Sequence, residues 1–391
     1  MKVIVLGGAG TQAQGVICDL ATSPEVSEIV LADLEKTKDI LGQRSKEWGR
    51  NKTRVAYVDV NNPENLRKVI RGCEVCAHVI SHVFNLQIMD ACLAEGCHYT
   101  DVGGLFHYYR KQVEHHQEWK NKGLTAVLGM GSAPGITNVL ARYAADQLDT
   151  IESIHLRDGI ANYAKSEFPL SVPYAIGTIL QEFTDKCYIF TKGNWLEVDA
   201  FTQEETVDFS PPVGTMRIYA TIHSEVASVP VSFKSKGIKE MSFKLGLPAD
   251  FEQKMRFLAG IGLGSSQPLE VRGSKVSPID FIAALAQTFP KPVGKPADYK
   301  CLRADAKGIK DGVVTEIQTE VMCHPSEEWN MKTGPYSVGV PVGIVCRMLG
   351  NGEITERGCL PAELCVPTNL FFKYLGQRNM HSTNRIKRPV A

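Results

Sequence analysis

A run of small residues near the start of the chain has the spacing of a dinucleotide phosphate site. Residues 8–13 read Gly-Ala-Gly-Thr-Gln-Ala and fit the pattern G-x-G-x-x-G/A. The first glycine of this pattern allows a tight turn, the second lets backbone approach a pyrophosphate, and the third position needs a small side chain. N–H groups at the start of the next helix would face the phosphates. The predicted cofactor contacts here are Gly8, Ala9, Gly10, Thr11 and Gln12.

An acidic residue further along makes this pattern more specific. Asp33 lies 23 residues after Gly10, close to the usual spacing of an acid that accepts hydrogen bonds from the adenosine ribose. A carboxylate there would repel a 2′-phosphate, so the sequence favours NAD over NADP. Lys36 and Lys38 lie nearby and leave NADP open. The alternative is a glycine-rich turn that binds nothing.

The segments around these residues have the periodicity of strand, helix and strand. Residues 2–6 are aliphatic and suit a buried strand, and residues 29–32 suit a second strand that ends at Asp33. Between them, apolar residues from Ala13 to Ala21 recur on one helical face. Strands and helices go on alternating as far as residue 131, so we predict an α/β fold with a doubly wound parallel sheet.

The carboxyl edge of such a sheet is where ligands bind. Predicted strands at 54–58 and 75–80 end at this edge. Four further cofactor contacts are therefore predicted there: Asp59, Val60, Ser81 and His82. A solvated loop position is the alternative for His82. A strand at 98–102 brings Asp101 to the same edge, where it either reaches the cleft or caps a turn.

The length, net charge and cysteine count of the chain narrow the class of protein. The 391 residues suit two domains, and a formal net charge of +0 gives no reason to expect nucleic acid or an anionic membrane as partner. No apolar run reaches the ~18 residues of a membrane span, and a strand at residue 2 leaves no room for a signal peptide. The odd number of scattered cysteines, 11, suits reduced thiols in a cytoplasm. Cys73 and Cys76 have C-x-x-C spacing without a second pair, so we expect core thiols and no metal.

The second part of the chain has a different pattern. Extended runs separated by glycine and proline outnumber helical ones, which predicts an α+β domain with a mostly antiparallel sheet. The predicted extended runs are 151–160, 215–226, 231–245, 268–272 and 313–323. The predicted helices are 174–185, 278–287, 339–349 and 368–375. The basic and polar last dozen residues are expected to be a mobile tail or an oligomer contact.

Several stretches together resemble the saccharopine dehydrogenase-like family. They are the glycine turn, Ser-Ala-Pro-Gly at 132–135, Gly-Val-Pro-Val-Gly-Ile-Val-Cys at 339–346 and Leu-Pro-Ala-Glu at 360–363. Their spacing covers essentially the whole chain. His-Tyr-Thr-Asp-Val-Gly-Gly at 98–104 and His-Ser-Glu at 223–225 look most like the lysine 6-dehydrogenase branch of that family.

The resemblance implies a division of the chain and an assembly. A dinucleotide-binding domain at 1–131 would be completed by residues 338–391, and residues 132–337 would bind substrate and dimerise. A homodimer or higher homo-oligomer is expected. Saccharopine reductases carry Leu-Asp-Pro-Gly at the junction, and its acid is a site residue. Here Ser132 and Ala133 take those places, which argues against saccharopine as substrate and requires an acid from elsewhere.

Oxidation of an amine carbon by NAD needs a base and an anion close to the developing iminium. Asp101 and Asp158 end strands that should face the cleft, although Asp158 precedes a glycine and suits a turn equally well. His223 and Glu225 would share one face of a strand as base and orienter, or would lie on a solvated face. The predicted catalytic residues are thus Asp101, Asp158, His223 and Glu225.

Substrate contacts rest on weaker signals. Arg217 would clamp a carboxylate with its planar fork, or would be a surface arginine. Tyr174 and Thr368 are expected contacts on the resemblance alone.

Three functions are therefore considered. In the two enzymatic functions, the partner is a small-molecule amine or amino acid. The first is oxidation of the side-chain amine of an amino acid such as lysine by hydride transfer to NAD. The second is reductive condensation of an amine with an aldehyde or keto acid, as in saccharopine or carboxynorspermidine formation. The third is a non-catalytic dinucleotide-binding scaffold, which scattered polar side chains in the cleft would favour.

Overall fold

The protein was analysed as a computed structural model that describes residues 1–103, 105–164, 168, 170, 172, 175–290 and 294–389. Strands and helices alternate through the first part of the chain. In chain order they are β1 (Lys2–Leu6), α1 (Ala13–Thr22), β2 (Glu28–Asp33), α2 (Lys38–Trp48), β3 (Thr53–Tyr57), α3 (Pro63–Ile70), β4 (Val75–His78), α4 (Asn85–Glu95), β5 (His98–Asp101), α5 (Phe106–Val113), α6 (His116–Asn121), β6 (Thr125–Leu128) and α7 (Ile136–Asp146).

Longer strands dominate the remainder of the chain. In chain order the elements are β7 (Thr150–Asn162), α8 (Ile176–Thr184), β8 (Cys187–Thr191), β9 (Asn194–Val198), β10 (Glu205–Asp208), β11 (Thr215–Ala220), α9 (Glu225–Ser232), β12 (Glu240–Gly246), α10 (Ala249–Gly260), β13 (Leu269–Val271), β14 (Ser274–Val276), α11 (Pro278–Ala286), β15 (Asp298–Lys310), β16 (Val313–Cys323), α12 (Thr333–Gly350), β17 (Gly358–Pro361), α13 (Ala362–Cys365), α14 (Thr368–Gly376) and β18 (His381–Lys387).

The first sheet is parallel throughout, as predicted. Seven of the described strands form it in the order β3-β2-β1-β4-β5-β6-β17. The chain moves outward from β1 to β3 and then returns to place β4 on the other side of β1, so the loops after β1 and β4 meet at the switch point. The aliphatic side chains of β1 from Val3 to Leu6 are fully buried, which explains why this segment forms the central strand.

The C-terminal part of the chain returns to this sheet. β17 adds to β6 in parallel register, and α12 packs closely along α1. Small residues permit the approach, because a Cβ on Gly339 would lie 2.6 Å from the carbonyl oxygen of Gln12 and 2.7 Å from Gly15 Cα. Gly343 similarly faces Asp19. The boundaries predicted at residues 131 and 338 remain predictions.

The second sheet is mixed and mostly antiparallel, which matches the predicted α+β class. Its main path among the described strands is β10-β11-β12-β7-β15-β16-β18, and only β12 and β7 run parallel. Since successive side chains of a strand point to opposite faces, Asp158 of β7 faces the main core while Arg157 faces the other side. Arg157 there pairs with Asp305 and with Glu205 at 2.7 Å.

Two predicted strands in the second part of the chain were wrong, and so was a mobile tail. The other prediction for the tail, an oligomer contact, stays a prediction. The strand predicted at 215–226 ends at Ala220, and residues 225–232 form α9. The strand predicted at 231–245 is confined to β12. The tail is an edge strand, β18, paired antiparallel with β16. β-branched valines around Pro230 had suggested extended chain, but α9 packs on β12 and its apolar residues are buried, so tertiary contacts override propensity.

The structure also bears on the state of the cysteines, on metal binding and on membrane spans. All 11 cysteines are buried and lack disulfide partners among the described residues, and burial raises the pKa of Cys73 to about 12. In the described ranges, no group of three or more histidine, cysteine or acidic side chains has metal-binding geometry. No described helix combines the length and hydropathy that crossing a bilayer requires.

Candidate active site

The glycine turn after β1 leaves amide groups open at the start of α1. The amide of Gly10 donates to the carbonyl oxygen of Gly7 at 2.8 Å, and Gly7 has a φ of +88° that only glycine adopts easily. A Cβ on Gly8 would lie 3.0 Å from the side chain of Leu41 on α2. Within the described part of the chain, the amides of Thr11 and Gln12 have no acceptor. The turn therefore fits the pyrophosphate of a dinucleotide.

Asp33 lies beside the turn, where the sequence places a ribose contact. Its Oδ2 accepts from the amide of Ala9 at 2.9 Å, and its Oδ1 accepts from the amide of Leu34 at 2.8 Å. A carboxylate oxygen has lone pairs for a second acceptor role. Asp33 can therefore hold the turn and still accept from ribose hydroxyl groups.

The loop after β4 touches the glycine turn. A Cβ on Gly7 would clash with Ile80, so Ser81 and His82 follow directly on a segment in contact with the cradle. Ser81 is exposed and His82 is half-buried, with its ring edge-on to Tyr108 at 4.5 Å. Burial lowers the pKa of His82, which favours the neutral imidazole. This placement is compatible with the predicted cofactor contacts.

Asp59 and Val60 lie further from the switch point, because β3 is two strands away from β1. Asp59 is exposed and accepts from the amide of Asn61 at 3.0 Å, while the carbonyl of Val60 accepts from Gln87 at 2.7 Å. Their predicted contact with the adenosine side of the cofactor remains a prediction.

Asp101 acts as a structural cap in the folded chain. Its Oδ1 accepts from the amides of Gly103 and Gly129, both at 2.8 Å, and its Oδ2 accepts from Gln112 at 2.7 Å. The side chain is fully buried. Oδ1 thus joins the ends of β5 and β6, and Oδ2 ties them to α5. This is the turn-cap alternative, and we assign Asp101 no chemical step.

The turn that follows β6 leads to the second sheet. The amide of Gly131 donates to the carbonyl of Pro134 at 2.8 Å and closes the turn before α7. Ser132 is buried in this turn, and its Oγ accepts from Lys300 Nζ at 3.1 Å. A residue of β15 is therefore tied to the junction of the chain.

Lys300 also pairs with Asp158 across neighbouring strands. The Nζ–Oδ2 distance is 3.2 Å, and both side chains are nearly buried. Asp158 Oδ1 has no hydrogen-bond partner among the described residues. A buried carboxylate oxygen without a donor is costly, so this atom is a candidate acceptor for a substrate ammonium or iminium.

His223 and Glu225 form a second buried pair. His223 Nδ1 lies 2.9 Å from Glu225 Oε2, and Thr137 Oγ1 donates to Glu225 Oε1 at 2.9 Å. The expected geometry was wrong, since His223 precedes α9 and Glu225 begins it, so the two do not share a strand face. The amino end of α9 favours the carboxylate. Because Glu225 occupies Nδ1, ring nitrogen Nε2 is the one left for a ligand.

Burial and neighbouring charges perturb both pairs. Burial raises the pKa of Asp158 above its ordinary value, and the charges of Lys300 and His223 offset this only in part. Burial alone would lower the pKa of His223. The charge and hydrogen bond of Glu225, with the charges of Glu182 and Asp158, outweigh burial and raise it. Each group contributes to the pKa shift of the other, and the His223 ring stacks on β12, the strand next to the one that carries Asp158, so the two pairs lie close together.

The ring of His223 is also held by packing. It stacks on Phe243 with ring centres 3.7 Å apart and planes 16° from parallel. Phe243 belongs to β12, the neighbour of the strand that carries Asp158. The imidazole therefore has one orientation, as a proton-transfer group requires.

Two of the three predicted substrate contacts, Arg217 and Thr368, make no hydrogen bond or ion pair with either buried pair among the described residues. Arg217 is exposed on β11, 3.8 Å from Glu204, and lines an open cavity of about 540 Å³ with Tyr219 and Arg256. This is the surface-arginine alternative. Thr368 begins α14 and is half-buried, with no hydrogen bond to either pair within the described ranges. Tyr174 lies outside the described residues.

Sequence reasoning missed four contributors to this region: Ser132 as a ligand of Lys300, Thr137, Glu182 and Lys300 itself. Lys300 lies on β15, where charged residues occur on both faces and the alternation breaks at Cys301 and Leu302, so no single hydrophobic period marked the strand. The absence of a junction acid at Ala133 was the one usable signal. Asp158 is connected to that junction through Lys300 and Ser132, so it is the candidate for the acid that the sequence requires from elsewhere.

Comparison with protein families covers nearly all of the chain. The saccharopine dehydrogenase NADP binding domain matches residues 3–127, and the saccharopine dehydrogenase C-terminal domain matches residues 131–381. The carboxyaminopropylagmatine dehydrogenase of Synechocystis sp. is 24% identical, over 97% of this chain and 96% of its own. The carboxynorspermidine synthase of Vibrio cholerae is 25% identical, over 86% and 84%.

Solved structures share the fold. Apo saccharopine dehydrogenase (L-Glu forming) from Saccharomyces cerevisiae superposes with a TM-score of 0.75 at 15% identity over 99% of both chains. The homospermidine synthase of Legionella pneumophila, solved with NAD, gives a TM-score of 0.69 at 10% identity over 98% of this chain and 91% of its own. Together with the two matched domains, the glycine cradle and the parallel sheet show that the chain belongs to the saccharopine dehydrogenase family of NAD(P)-dependent oxidoreductases.

Proposed function

We propose that this protein forms a secondary amine by reductive condensation of a polyamine-type amine with a small carbonyl compound, using NAD(P)H. This is the second of the two enzymatic functions considered from the sequence. Two relatives support it, because their names, carboxyaminopropylagmatine dehydrogenase and carboxynorspermidine synthase, describe carboxylated polyamines. Oxidation of lysine remains a prediction that the same assay tests.

One observation carries the proposal: two buried ion pairs act on each other beside the chain junction. Glu225 holds His223, and Lys300 holds Asp158. A scaffold that only bound a dinucleotide would have no need of two buried acid–base pairs, whose desolvation is costly. Perturbed titratable groups that gather at one place are typical of catalytic sites.

The pairs suit the steps of the reaction. The substrate ammonium must lose one proton before its nitrogen attacks the carbonyl carbon. A second proton then passes from that nitrogen to the carbonyl oxygen, and the resulting carbinolamine must lose its hydroxyl as water. We propose that His223 takes the first proton and returns it to the departing hydroxyl, which gives an iminium ion. The unpartnered oxygen of Asp158 would face this cation and stabilise it. NAD(P)H held at the glycine turn would supply the hydride that reduces the iminium carbon.

Lys300 and Glu225 would act through their partners. The Lys300 ammonium keeps Asp158 in place from one side, and Glu225 fixes the tautomer and charge of His223. In the oxidative direction the same groups would serve in reverse order.

For the cofactor we propose NAD as the better ligand, because the Asp33 carboxylate is placed to accept from ribose hydroxyl groups. The matched domain is described as NADP binding, so both forms need testing. Thermal-shift measurement with each nucleotide tests Asp33 directly. Replacement of Asp33 by Asn should reduce the difference between the thermal shifts given by NAD and by NADP. An unchanged difference would contradict this role of Asp33.

The function is tested by following oxidation of NADH and NADPH with pairs of substrates. Diamines, agmatine and lysine would each be combined with an amino-acid semialdehyde or a 2-oxo acid. We expect turnover with at least one polyamine-type amine and a carboxylated carbonyl compound. An assay of lysine with NAD in the oxidative direction tests the alternative function, oxidation of the lysine side-chain amine. No turnover with any pair in either direction, by protein that binds NADH, would favour the scaffold.

We also propose that the protein forms a homodimer or higher homo-oligomer, which size-exclusion chromatography with light scattering would test. A cytoplasmic location is a further proposal, which cell fractionation would test.

A further inference from the structure

A buried arginine lies directly beneath the glycine turn. Arg44 of α2 is 7% exposed, and its Nη1 donates to the carbonyl oxygen of Gly8 at 2.7 Å and to that of Gly10. Its guanidinium also lies over the Trp48 ring, 5.9 Å from the centre. Neither the glycine pattern nor the acid after β2 requires such a residue.

The position of this arginine determines which way the turn's amides point. In a trans peptide unit the C=O and the following N–H point in opposite directions. When the carbonyls of Gly8 and Gly10 point down to Arg44, the amides of Ala9 and Thr11 point away from it. The amide of Ala9 meets Asp33, and that of Thr11 has no acceptor in the described part of the chain.

The same arrangement keeps a positive charge close to the phosphate site. Burial lowers the pKa of Arg44 to about 10, with the charges of Asp33 and Glu47 opposing the shift. The side chain therefore stays charged at neutral pH. A buried cation interacts more strongly with an anion than a solvated one does, because fewer water dipoles screen it.

We propose that Arg44 is a positioning residue for the cofactor: it holds the glycine turn with the Thr11 amide aimed at the pyrophosphate and places a buried charge behind it. The ligand concerned is the diphosphate of the nucleotide, whether in NAD, NADP or ADP. The inference does not depend on the proposed reaction, because it is measured by binding.

Titration calorimetry with NADH and with ADP tests it. Arg44→Met removes the charge and both hydrogen bonds at similar length. We expect the dissociation constants of both nucleotides to rise by about 10-fold or more, since one hydrogen bond to a charged group alone has roughly this effect. ADP lacks the nicotinamide, so a parallel loss locates the effect at the diphosphate and adenosine side.

Lys46→Met is the matched control. Lys46 is exposed on the same helix and has the same charge, so it should change both constants less than about 2-fold through long-range electrostatics alone. Arg44→Lys keeps the charge but can reach fewer carbonyl groups. Its dissociation constants for NADH and ADP should lie between those of wild type and Arg44→Met.

Circular dichroism and thermal melting of the free variants separate binding from folding. If folded Arg44→Met binds both nucleotides as Lys46→Met does, the proposal is overturned and Arg44 only stabilises α2. If Arg44→Met does not fold, Arg44→Lys decides: weaker binding of both nucleotides supports the proposal, and wild-type affinity overturns it.

Discussion

At the scale of single residues, the site consists of pairs in which one group sets the charge of the other. His223 is the clearest case, because burial and Glu225 act on its pKa in opposite directions and Glu225 prevails. Removing the negative partner should therefore let burial dominate.

Glu225→Gln is predicted to lower the pKa of His223 below its ordinary value of 6.5. The acidic limb of the pH–rate profile should move to lower pH, with a loss of rate of about 10–100-fold because the imidazole is a weaker base and less well oriented. The histidine ring signals in NMR titration give the pKa directly. A profile and titration identical to wild type would contradict the pairing.

The same pair should affect stability with a defined sign. A raised histidine pKa means that the pair's stabilisation is complete below the unfolded pKa near 6.5 and is lost as pH rises through the higher folded value. The difference in unfolding free energy between wild type and Glu225→Gln should therefore shrink as pH rises through that window.

Asp158→Asn is predicted to reduce turnover by about 100-fold or more, because an amide cannot stabilise an iminium as a carboxylate does. NADH affinity should stay within about 2-fold, since Asp158 is not part of the glycine cradle. Asp250→Asn is the control: it is also an ion-paired carboxylate, but is exposed on α10. Steady-state rates and NADH titration give both quantities. Equal rates in the two variants would remove Asp158 from the mechanism.

Residue types alone indicated much of this site, although the geometry did not follow from them. His223 and Glu225 were paired correctly for the wrong reason, as residues on one face of a strand that does not exist there. Asp158 was chosen as a residue at a strand end, but it lies within β7, which continues to Asn162. Lys300 was missed because lysine is rarely buried without a partner, and nothing local in the sequence shows that Asp158 lies on the adjacent strand.

At the scale of elements, the helix that follows the glycine turn is held by the C-terminal helix. The contact of α1 with α12 runs along Gly15, Gly339 and Gly343. A side chain at Gly15 or Gly339 would overlap backbone, and one at Gly343 would overlap the side chain of Asp19. The cradle at the start of α1 therefore depends on a segment more than 300 residues away in the sequence, counted from Gly15 to Gly339.

Gly339→Ala is predicted to destabilise the fold by about 2 kcal/mol, because its methyl group would lie 2.6 Å from backbone atoms of α1. Cofactor affinity should fall as α1 moves. Gly42→Ala is the control on α2, where a Cβ meets nothing within 4 Å and should be neutral or stabilise by up to about 1 kcal/mol. Denaturant unfolding and NADH titration measure the effects. Similar stability in the two variants would contradict the packing account.

Elements with a clean period were predictable, and those shaped by distant contacts were not. The strands predicted at 2–6 and 29–32 are present as β1 and β2. The strand β15 escaped prediction because it lies in the middle of a sheet with charged residues on both faces. The helix α9 carries valines and a proline, and only its packing on β12 explains why it is helical.

At the scale of the whole molecule, two sheets share one core, and the last strand closes an edge. β18 is exposed along its length and pairs with β16 from Glu316 to Met322. It covers backbone groups of β16 that would otherwise be open to another chain.

Deleting residues 381–391 is predicted to leave the fold and NADH affinity largely intact but to increase aggregation, because the unpaired edge of β16 becomes a template for strand addition. Deleting residues 388–391 alone spares β18 and should not change solubility. Light scattering during incubation compares the two. Equal scattering from both truncated proteins would show that β18 has no protective role.

The most direct test of the central claim follows the hydrogen itself. Protein would be incubated with a polyamine-type amine, an amino-acid semialdehyde and NAD(P)H carrying two deuterium atoms at nicotinamide C4, and the product would be measured by mass spectrometry. The account predicts a secondary amine with a single deuterium on the new C–N carbon, formed by wild type and lost in Asp158→Asn. If no amine and carbonyl pair takes up deuterium in the presence of folded, nucleotide-binding protein, the two buried pairs do not form a CH–NH oxidoreductase site.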